Sequence, residues 1–496
     1  MWGVLNFTFL SKKGGQPVKK EKKEKFINVN VDDIIKDDYL TYAASSLIRM
    51  LPNSIDGLKP VQRRILHTMW EMKATSFTKS ADVVGRTMQY APHGDQAIYA
   101  ALVVMAQQDR NKNTLITGQG NFGYITDHLN EYAASRYTEV KLSDYVQDFY
   151  FTEDYTYTDT MMTYKGFSDI REPVVFPTLL PMGLVQGSRG ITPGFSNHII
   201  PHKLNSIAEA YILYIKNRNN VTKWKKMEKE IYDKIEIGFP NKCKIIRHSE
   251  TGLQTGKGQI IAQGRCRVLD GKRSKKIIQV YQLPYLVEIP NFVSEVDAVL
   301  QRHGYLAGIT DESGKEGVNV NIILKKDVSV KEALDLISTK TSFGNKYNYS
   351  LVMNDNNTPK RMNVINLFES HYQYKTRIME KYLEDKKRTL SFRQECLTGA
   401  LYILSNPKRR SEFFKLLEAS DKDNIIKTLL IRYSLQPHVS EYLINRKFSS
   451  LLGKIGDLKK EKDNVEEEIN DILSKLNDID KYLISQIKEK VKKYIK

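Results

Sequence analysis

The sequence predicts a mixed α and α/β multidomain chain: a helical domain, an α/β domain and a long antiparallel coiled-coil arm carrying a small helical globule. Three observations predict it. Apolar residues recur at helical spacing between about 34 and 107, short β-rich runs broken by Gly and Asp fill about 175 to 355, and the last third is charged, helical and heptad-patterned. With 496 residues, 41% of them apolar, the chain is long enough for several cores. Its 76 Lys and Arg against 58 Asp and Glu leave a net +18, which suits a polyanionic partner, either nucleic acid or an acidic membrane surface.

Residues 1–30 read as a basic flexible tail, in which Gly14 and Gly15 precede a mixture of Lys and Glu. Its mildly apolar start, Met1 to Leu10, comes before the cationic cluster Lys19 to Lys25, the reverse of a secretory signal. Ile34 to Met50 has helical spacing and stops ahead of Pro52. Pro60 suits the first turn of a second helix to Met72, with Val61, Ile65, Leu66 and Met69 on one face. Shorter helices are expected around 81–88 and 95–107, within a first domain of 31–174. The α/β domain, 175–360, has strands at Lys244 to Ile246, Ile260 to Ala262, Lys276 to Tyr281 and Val318 to Leu324, and a helix at Lys331 to Ser338.

The third domain, 361–496, opens with a helix from Val364 to Leu404. Its second helical pattern places Leu451, Ile455, Leu458, Lys462, Val465, Ile469, Ile472, Leu476, Ile479 and Leu483 at alternating steps of four and three, a heptad seam interrupted by Lys462. Two such helices joined by a shorter, partly apolar segment predict an antiparallel arm with a globule at its tip. No run approaches the ~18 apolar residues of a membrane span. Cys243, Cys266 and Cys396 are odd in number and far apart, so they read as reduced structural thiols, with no disulfide framework or Cys-based zinc site.

Five segments carry the chemistry: Arg49-Met-Leu-Pro-Asn-Ser-Ile-Asp-Gly-Leu-Lys-Pro-Val-Gln-Arg-Arg64; Pro92-His-Gly-Asp95 with Ala97 and Tyr99; Gly118-Gln-Gly-Asn-Phe-Gly123; Ala133-Ala-Ser-Arg-Tyr-Thr-Glu139; and Gly187-Ser-Arg-Gly-Ile191, continuing through Asn197 to Pro201-His202. In order and spacing they resemble the A-type subunits of bacterial gyrase and topoisomerase IV, the breakage-reunion subunits of type IIA DNA topoisomerases. Weaker similarity at Glu288-Ile-Pro290, Asp311-Glu-Ser313 and Ser342-Phe-Gly344 extends the resemblance over most of the chain. It implies a winged-helix DNA-binding domain, an α/β tower and a coiled-coil arm ending in a dimerisation globule.

Tyr137 is one of 28 tyrosines, and composition does not single it out. The resemblance does, as the nucleophile forming a 5′-phosphotyrosyl link. A phenol, with an ordinary pKa near 10, attacks poorly at neutral pH unless positive charge favours the phenolate. Arg136 stands beside it in sequence, and such a charge also stabilises the phosphoryl oxygens. Arg49 matches the family's active-site arginine, and His93 a histidine near the scissile phosphate. Lys59, Arg63 and Arg64 match basic residues facing the cleaved duplex, where cations neutralise phosphates without reading sequence. Ile191 sits where the family carries an isoleucine that wedges between base pairs and bends DNA. The glycines of 118–123 allow tight turns near the site. Gln96 and Ala100 depart from the small hydroxyl and acidic residue that the family links to quinolone binding.

Gly252 to Lys257 lacks the spacing of a phosphate-binding loop, and the pairs Asp421/Asp423 and Asp478/Asp480 lie in the helical third rather than on strands. The resemblance implies that Mg²⁺ and ATP are bound by a B-type ATPase/TOPRIM subunit, in an A2B2 heterotetramer working on double-stranded DNA in the cytoplasm. Self-association is expected through the arm tip and the winged-helix domain, with no membrane partner. The lack of a DNA-wrapping segment after the arm favours relaxation and decatenation, in a compact form that would suit a phage or mobile element. A tyrosine recombinase is disfavoured, because no His is followed by Arg in a His-x-x-Arg element. The alternative is a non-catalytic DNA-bridging coiled-coil protein or a degenerate A-type subunit.

Overall fold

The computed structural model describes residues 30–90, 94–124, 131–163, 170–220, 222, 224–241, 243–248, 251–271, 275–314, 317–419, 421–445 and 455–495. The expected tail up to residue 29, His93 and Leu451 lie outside the described residues. The described residues fall into two units, one ending at Ser45 and one beginning at Ser46. A turn at Val31–Asp33 (α1) leads through Ile34–Tyr39 into α2, Leu40–Met50, which begins in the first unit and ends in the second, two residues before Pro52.

In the second unit, α3 (Pro60–Glu71) starts on a proline, and the Gln62 side chain accepts the Lys59 amide at 2.9 Å. It buries Ile65, Leu66 and Met69 against α4 (Ser80–Thr87) and α5 (Asp95–Ala106). Beside these helices lies a small antiparallel sheet of β1 (Thr78–Lys79), β2 (Ile116–Gln119) and β3 (Glu139–Leu142), with β3 in the middle. Strand β3 alternates, turning Val140 and Leu142 into the core. Next come α6 (Asp144–Phe149), capped by Ser143, the hairpin β4 (Thr160–Met162) and β5 (Arg171–Pro173), and α7 (Met182–Gln186).

The mixed helix-and-sheet character continues through β6 (Ser188–Thr192), β7 (Phe195–Ile199), α8 (Leu204–Asn217) and α9 (Trp224–Lys234). The five-stranded sheet runs β6-β7-β14-β9-β8, using β8 (Lys244–His248), β9 (Lys257–Gln263) and β14 (Gly344–Ser350), with α10 (Thr251–Thr255) between β8 and β9. A second, four-stranded sheet orders β10 (Arg265–Asp270), β11 (Lys276–Gln282), β13 (Val320–Leu324) and β12 (Leu306–Asp311). With α11 (Ile289–Arg302) and α12 (Val330–Lys340) it encloses its own core around Phe292, Val320 and Ile337. A last hairpin, β15 (Val352–Asp355) with β16 (Thr358–Arg361), precedes the long helices.

Helix α13, Val364–Leu404, is 41 residues long. It packs against α17, Ile455–Asn477, and the two run antiparallel: Tyr372 near the start of α13 bonds Asp480 just past α17, whereas Arg393 further along pairs with Glu461. Between them α14 (Pro407–Ala419), α15 (Lys422–Tyr433) and α16 (Pro437–Asn445) gather round Phe413, Leu429 and Leu443. The heptad pattern runs on through 479–483, but the helix does not. Asp478 leaves the helical backbone at φ −140° and ψ 74°, and caps a new helix α18 (Ile479–Lys492) by accepting the Lys481 amide. Leu458, Val465 and Ile472 therefore face α13's core, while Leu483, Ile487 and Val491 join the main core beside α8.

That main core draws on both sides of the expected 174/175 boundary, uniting Phe149 and Tyr150 with Phe176, Leu179, Tyr211 and Phe368. Two buried polar groups on α13 fasten the arm to it. The Lys375 ammonium donates to both Asp154 oxygens (2.8 and 2.9 Å), to Thr152 Oγ1 (3.1 Å) and to the Pro177 carbonyl (2.8 Å). The His371 ring lies 2.7 Å from Tyr211 Oη and 3.0 Å from the Thr178 carbonyl. Burial, then the nearby Lys375 charge, brings its pKa down to about 3, so it is neutral.

Candidate active site and nucleic-acid interface

Tyr137 closes a single turn, Ser135–Tyr137, directly ahead of β3. The chain is pinned on both sides of it. Upstream, Tyr99 on α5 donates to the Ala133 carbonyl at 2.6 Å, and the Ala133 amide donates to Asn121 O at 3.0 Å. Downstream, Thr138 is wholly buried: its hydroxyl donates to Ser80 Oγ at 2.8 Å and lies 2.9 Å from Tyr99 Oη, while its carbonyl accepts the Ser80 amide at 3.0 Å. Lys79 and Glu139 add an ion pair at 2.7 Å across β1 and β3. Between these anchors Tyr137 is 66% exposed. A fixed backbone thus presents a free-standing phenol. The Arg136 guanidinium carbon lies 4.8 Å from the centre of its ring, where a cation is attracted to the π face.

The glycine loop lies against this segment. Gly120 has φ +113°, a conformation open to glycine, and a Cβ there would come within 3.3 Å of the Tyr137 carbonyl. A Cβ on Gly118 would sit 2.4 Å from the Phe122 ring, which folds beneath the loop. Gln107 holds the Phe122 carbonyl at 2.8 Å, and Asn121 Oδ1 accepts the Gly123 amide at 2.9 Å.

A second group surrounds the β6–β7 hairpin. Arg49 is exposed in the last turn of α2, and the next carbonyl, of Met50, lies where a Cβ on Gly190 would stand only 2.5 Å away. The hairpin therefore packs on the end of that helix, which glycine at 190 permits. Lys59 donates its ammonium to the Arg189 carbonyl at 2.8 Å, and its pKa is lowered by burial. Along β6 the exposed positions are Arg189 and Ile191, and Ile191 is 72% exposed. An isoleucine so bare, on a short strand closed by a Pro193-Gly194 turn, is positioned to meet another surface.

Two of the basic residues require correction. Arg63 does not face outward: it is 6% exposed and bidentate on Asp56, through Nε at 2.6 Å and Nη2 at 2.9 Å. Asp56 is fully buried and also accepts the Leu58 and Phe176 amides. Arg64 is half-buried and bidentate on Glu172 at 2.6 and 2.8 Å. Both guanidinium groups are committed to carboxylates inside the fold, because α3 is packed on more sides than its apolar stripe indicates. Among the three, Lys59 alone keeps donors turned away from a carboxylate partner among the described residues.

Arg136 and Tyr137 thus share one cluster with the glycine loop, while Lys59 meets the hairpin that carries Ile191 and Arg49 lies in the turn of α2 whose end abuts it; His93 lies outside the described residues. Sequence reasoning assigned no role to Ser80, Tyr99 and Thr138, which clamp the tyrosine segment, to Asp56, or to Arg189. Asp56, Tyr99, Thr138 and Arg189 all lay inside the singled-out segments, so the signal was present for them; Ser80 lay outside. Among the described residues no three His, Cys, Asp or Glu are grouped to hold a metal ion, and no helix is long and apolar enough to cross a membrane. Asp421 and Asp478 are helix caps.

The family model for the A-type subunit of DNA gyrase/topoisomerase IV matches residues 49–489. The gyrase A protein of Borreliella burgdorferi is 31% identical over 94% of this chain and 57% of that protein. The gyrase A proteins of Rickettsia felis (32% identical, 82% of this chain, 45% of that protein) and Streptococcus pneumoniae serotype 4 (28%, 91% and 54%) are also similar. The chain spans about half the length of the curated relatives it matches.

Proposed function

The chain belongs to the family of DNA gyrase/topoisomerase IV A-type subunits, and on that premise we propose that it is the DNA-cleaving and -resealing subunit of an ATP-dependent type II topoisomerase, with Tyr137 as nucleophile. The observation that carries this reading is the exposure of Tyr137 between two pinned residues, with Arg136 against its ring. The phenolic oxygen attacks a backbone phosphorus. The Oη–P bond forms as the P–O3′ bond breaks, the phenolic proton passes to solvent, and the 3′ oxygen leaves as a hydroxyl after taking up a proton. One phosphodiester replaces another, so the reverse attack reseals the strand without an outside energy source. Arg136 neutralises charge growing on the attacking and phosphoryl oxygens. Arg49 and His93 are assigned to the same phosphate, Lys59 to the duplex, and Ile191 to a wedge that bends it.

Two copies of this chain would each cut one strand of a gate duplex, a second duplex would pass, and the breaks would reseal. In this reading residues 31–174 form the arm and winged-helix domain, 175–360 the tower, and 361–496 the coiled coil and dimerisation globule. The partners are double-stranded DNA, a second copy of this chain, and a B-type ATPase/TOPRIM subunit in an A2B2 complex. Mg²⁺ and ATP are assigned to that subunit by the family reading alone. No step above is routed through them.

The test is trapped cleavage. The chain is mixed with a B-type subunit, Mg²⁺ and supercoiled plasmid, stopped with SDS, and examined for protein-linked linear DNA. Wild type should give adduct and Tyr137→Phe none, with DNA binding intact. An adduct that persists in Tyr137→Phe would mean another residue is the nucleophile. Tight DNA binding without adduct, where an active reference pair works, would favour a DNA-bridging or degenerate subunit.

A further inference from the structure

The β6–β7 hairpin carries a cation that the proposed mechanism does not use. On β6, successive side chains point to opposite faces, and the exposure pattern puts Arg189 and Ile191 outward, with Gly190 and Thr192 inward. The hairpin is stiff at this place. Arg189 pairs across the ladder with His198 and Ile191 with Ser196, Thr192 Oγ1 donates to the Phe195 carbonyl at 2.8 Å, and Gly194 takes the left-handed turn position at φ +74°. Lys59 fixes the Arg189 carbonyl from the neighbouring element. The guanidinium itself is exposed and engages no hydrogen-bond acceptor or carboxylate among the described residues. Its place is marked by His198, whose pKa is lowered first by burial and then by the Arg189 charge beside it. Unlike Arg63 and Arg64, each bidentate on an acid, Arg189 keeps its guanidinium open beside the bare Ile191.

Two residues along a strand span about 6.8 Å. That is roughly two base-pair rises of about 3.4 Å each. Proteins that open a base step with an apolar side chain do so from the minor groove and use arginine or lysine alongside the wedge. We propose that Arg189 is a DNA-clamping residue, its guanidinium set against minor-groove phosphates two steps from the one opened by Ile191. The hairpin then holds the bent duplex as well as bending it, with the ligand a B-form duplex recognised by backbone charge and deformability rather than by base identity. Lys59 serves it by fixing the strand from which the guanidinium projects. The inference rests on the gate-DNA reading above.

The experiment uses the full chain and a doubly labelled duplex of about 30 base pairs, read by anisotropy for affinity and by FRET for bending across a salt series. Arg189→Ala should weaken binding roughly ten-fold at moderate salt. It should also reduce the magnitude of the log–log salt slope by about 0.9 and straighten the duplex. Arg189→Lys should restore the slope, since the charge is kept. Ile191→Ala should straighten the duplex with the slope unchanged. If Arg189→Ala binds and bends like wild type with an unaltered slope, the clamp is refuted while the gate reading stands. If wild type itself neither bends the duplex nor forms protein-linked DNA, both fail together.

Discussion

Replacing Arg63 by Met separates two roles that the sequence does not distinguish. Asp56 is fully buried and receives four hydrogen bonds: two from Arg63 (2.6 and 2.9 Å), one from the Leu58 amide (2.9 Å) and one from the Phe176 amide (3.0 Å). Met fills much of the arginine stem's volume but leaves the carboxylate with two amides and no countercharge. Removing one partner of such a pair costs about 3–5 kcal/mol, because an uncompensated charge stays in the dry interior. At 1.4 kcal/mol per decade that is roughly two to three and a half powers of ten in the folded-to-unfolded ratio. Calorimetry should therefore show a markedly lower unfolding temperature for Arg63→Met, and Asp56→Asn in the same chain should recover much of it. DNA binding at low temperature should keep its wild-type salt slope, whereas Lys59→Met should reduce the slope by about 0.9. A variant at 63 with wild-type stability and a reduced slope would refute the argument and return Arg63 to the DNA surface.

Two further outcomes follow from the anchors. Thr138→Val keeps the shape but removes the hydroxyl that joins Ser80 to Tyr99, at a cost of about 1–3 kcal/mol. Because it loosens the frame rather than the phenol, cleavage in the reconstituted complex should slow roughly ten- to a hundred-fold with DNA affinity unchanged. Thr138→Ser should restore the rate, and an unslowed Thr138→Val would rule out the positioning role. His371 has a folded pKa of about 3, below the ordinary value of about 6.5, so as pH falls the unfolded chain takes up its proton first. Its contribution is complete above pH of about 6.5 and is lost toward pH 3, roughly 1.2 kcal/mol of it between pH 7 and 5.5. His371→Gln should flatten the pH dependence of urea unfolding by that amount; parallel curves would contradict it.

Elements built from local periodicity were legible. The stripe of Val61, Ile65, Leu66 and Met69 gives α3, and the run from Val364 to Leu404 gives α13 with the bounds the pattern suggests. The small sheet was not legible: its strands are two to four residues long and come from segments up to some sixty residues apart, so no window holds a β period. The seam from Ile455 to Leu483 reads as one helix, yet Asp478 divides it, because Asp480 is bound by Tyr372 and Arg218 of other elements. Tyr137 was singled out through its segment, not its chemistry. Arg63 and Arg64 were assigned to the duplex through the family match, which says nothing of the carboxylates they hold in this chain. Asp56 lies seven residues before Arg63, and Glu172 lies more than a hundred beyond Arg64.

The division at Asp478 gives the arm the mechanics of a beam clamped at its root. The outgoing limb is fastened by Lys375 and His371, and the returning limb by α18, whose Lys490, with Lys493 and Tyr494 just beyond it, all grip Asp148. Asp148 sits on α6, which follows β3, which follows Tyr137, with only Thr138 and Ser143 outside these elements. The root of the returning limb and the helix that follows the phenol's strand thus meet at one carboxylate, Asp148.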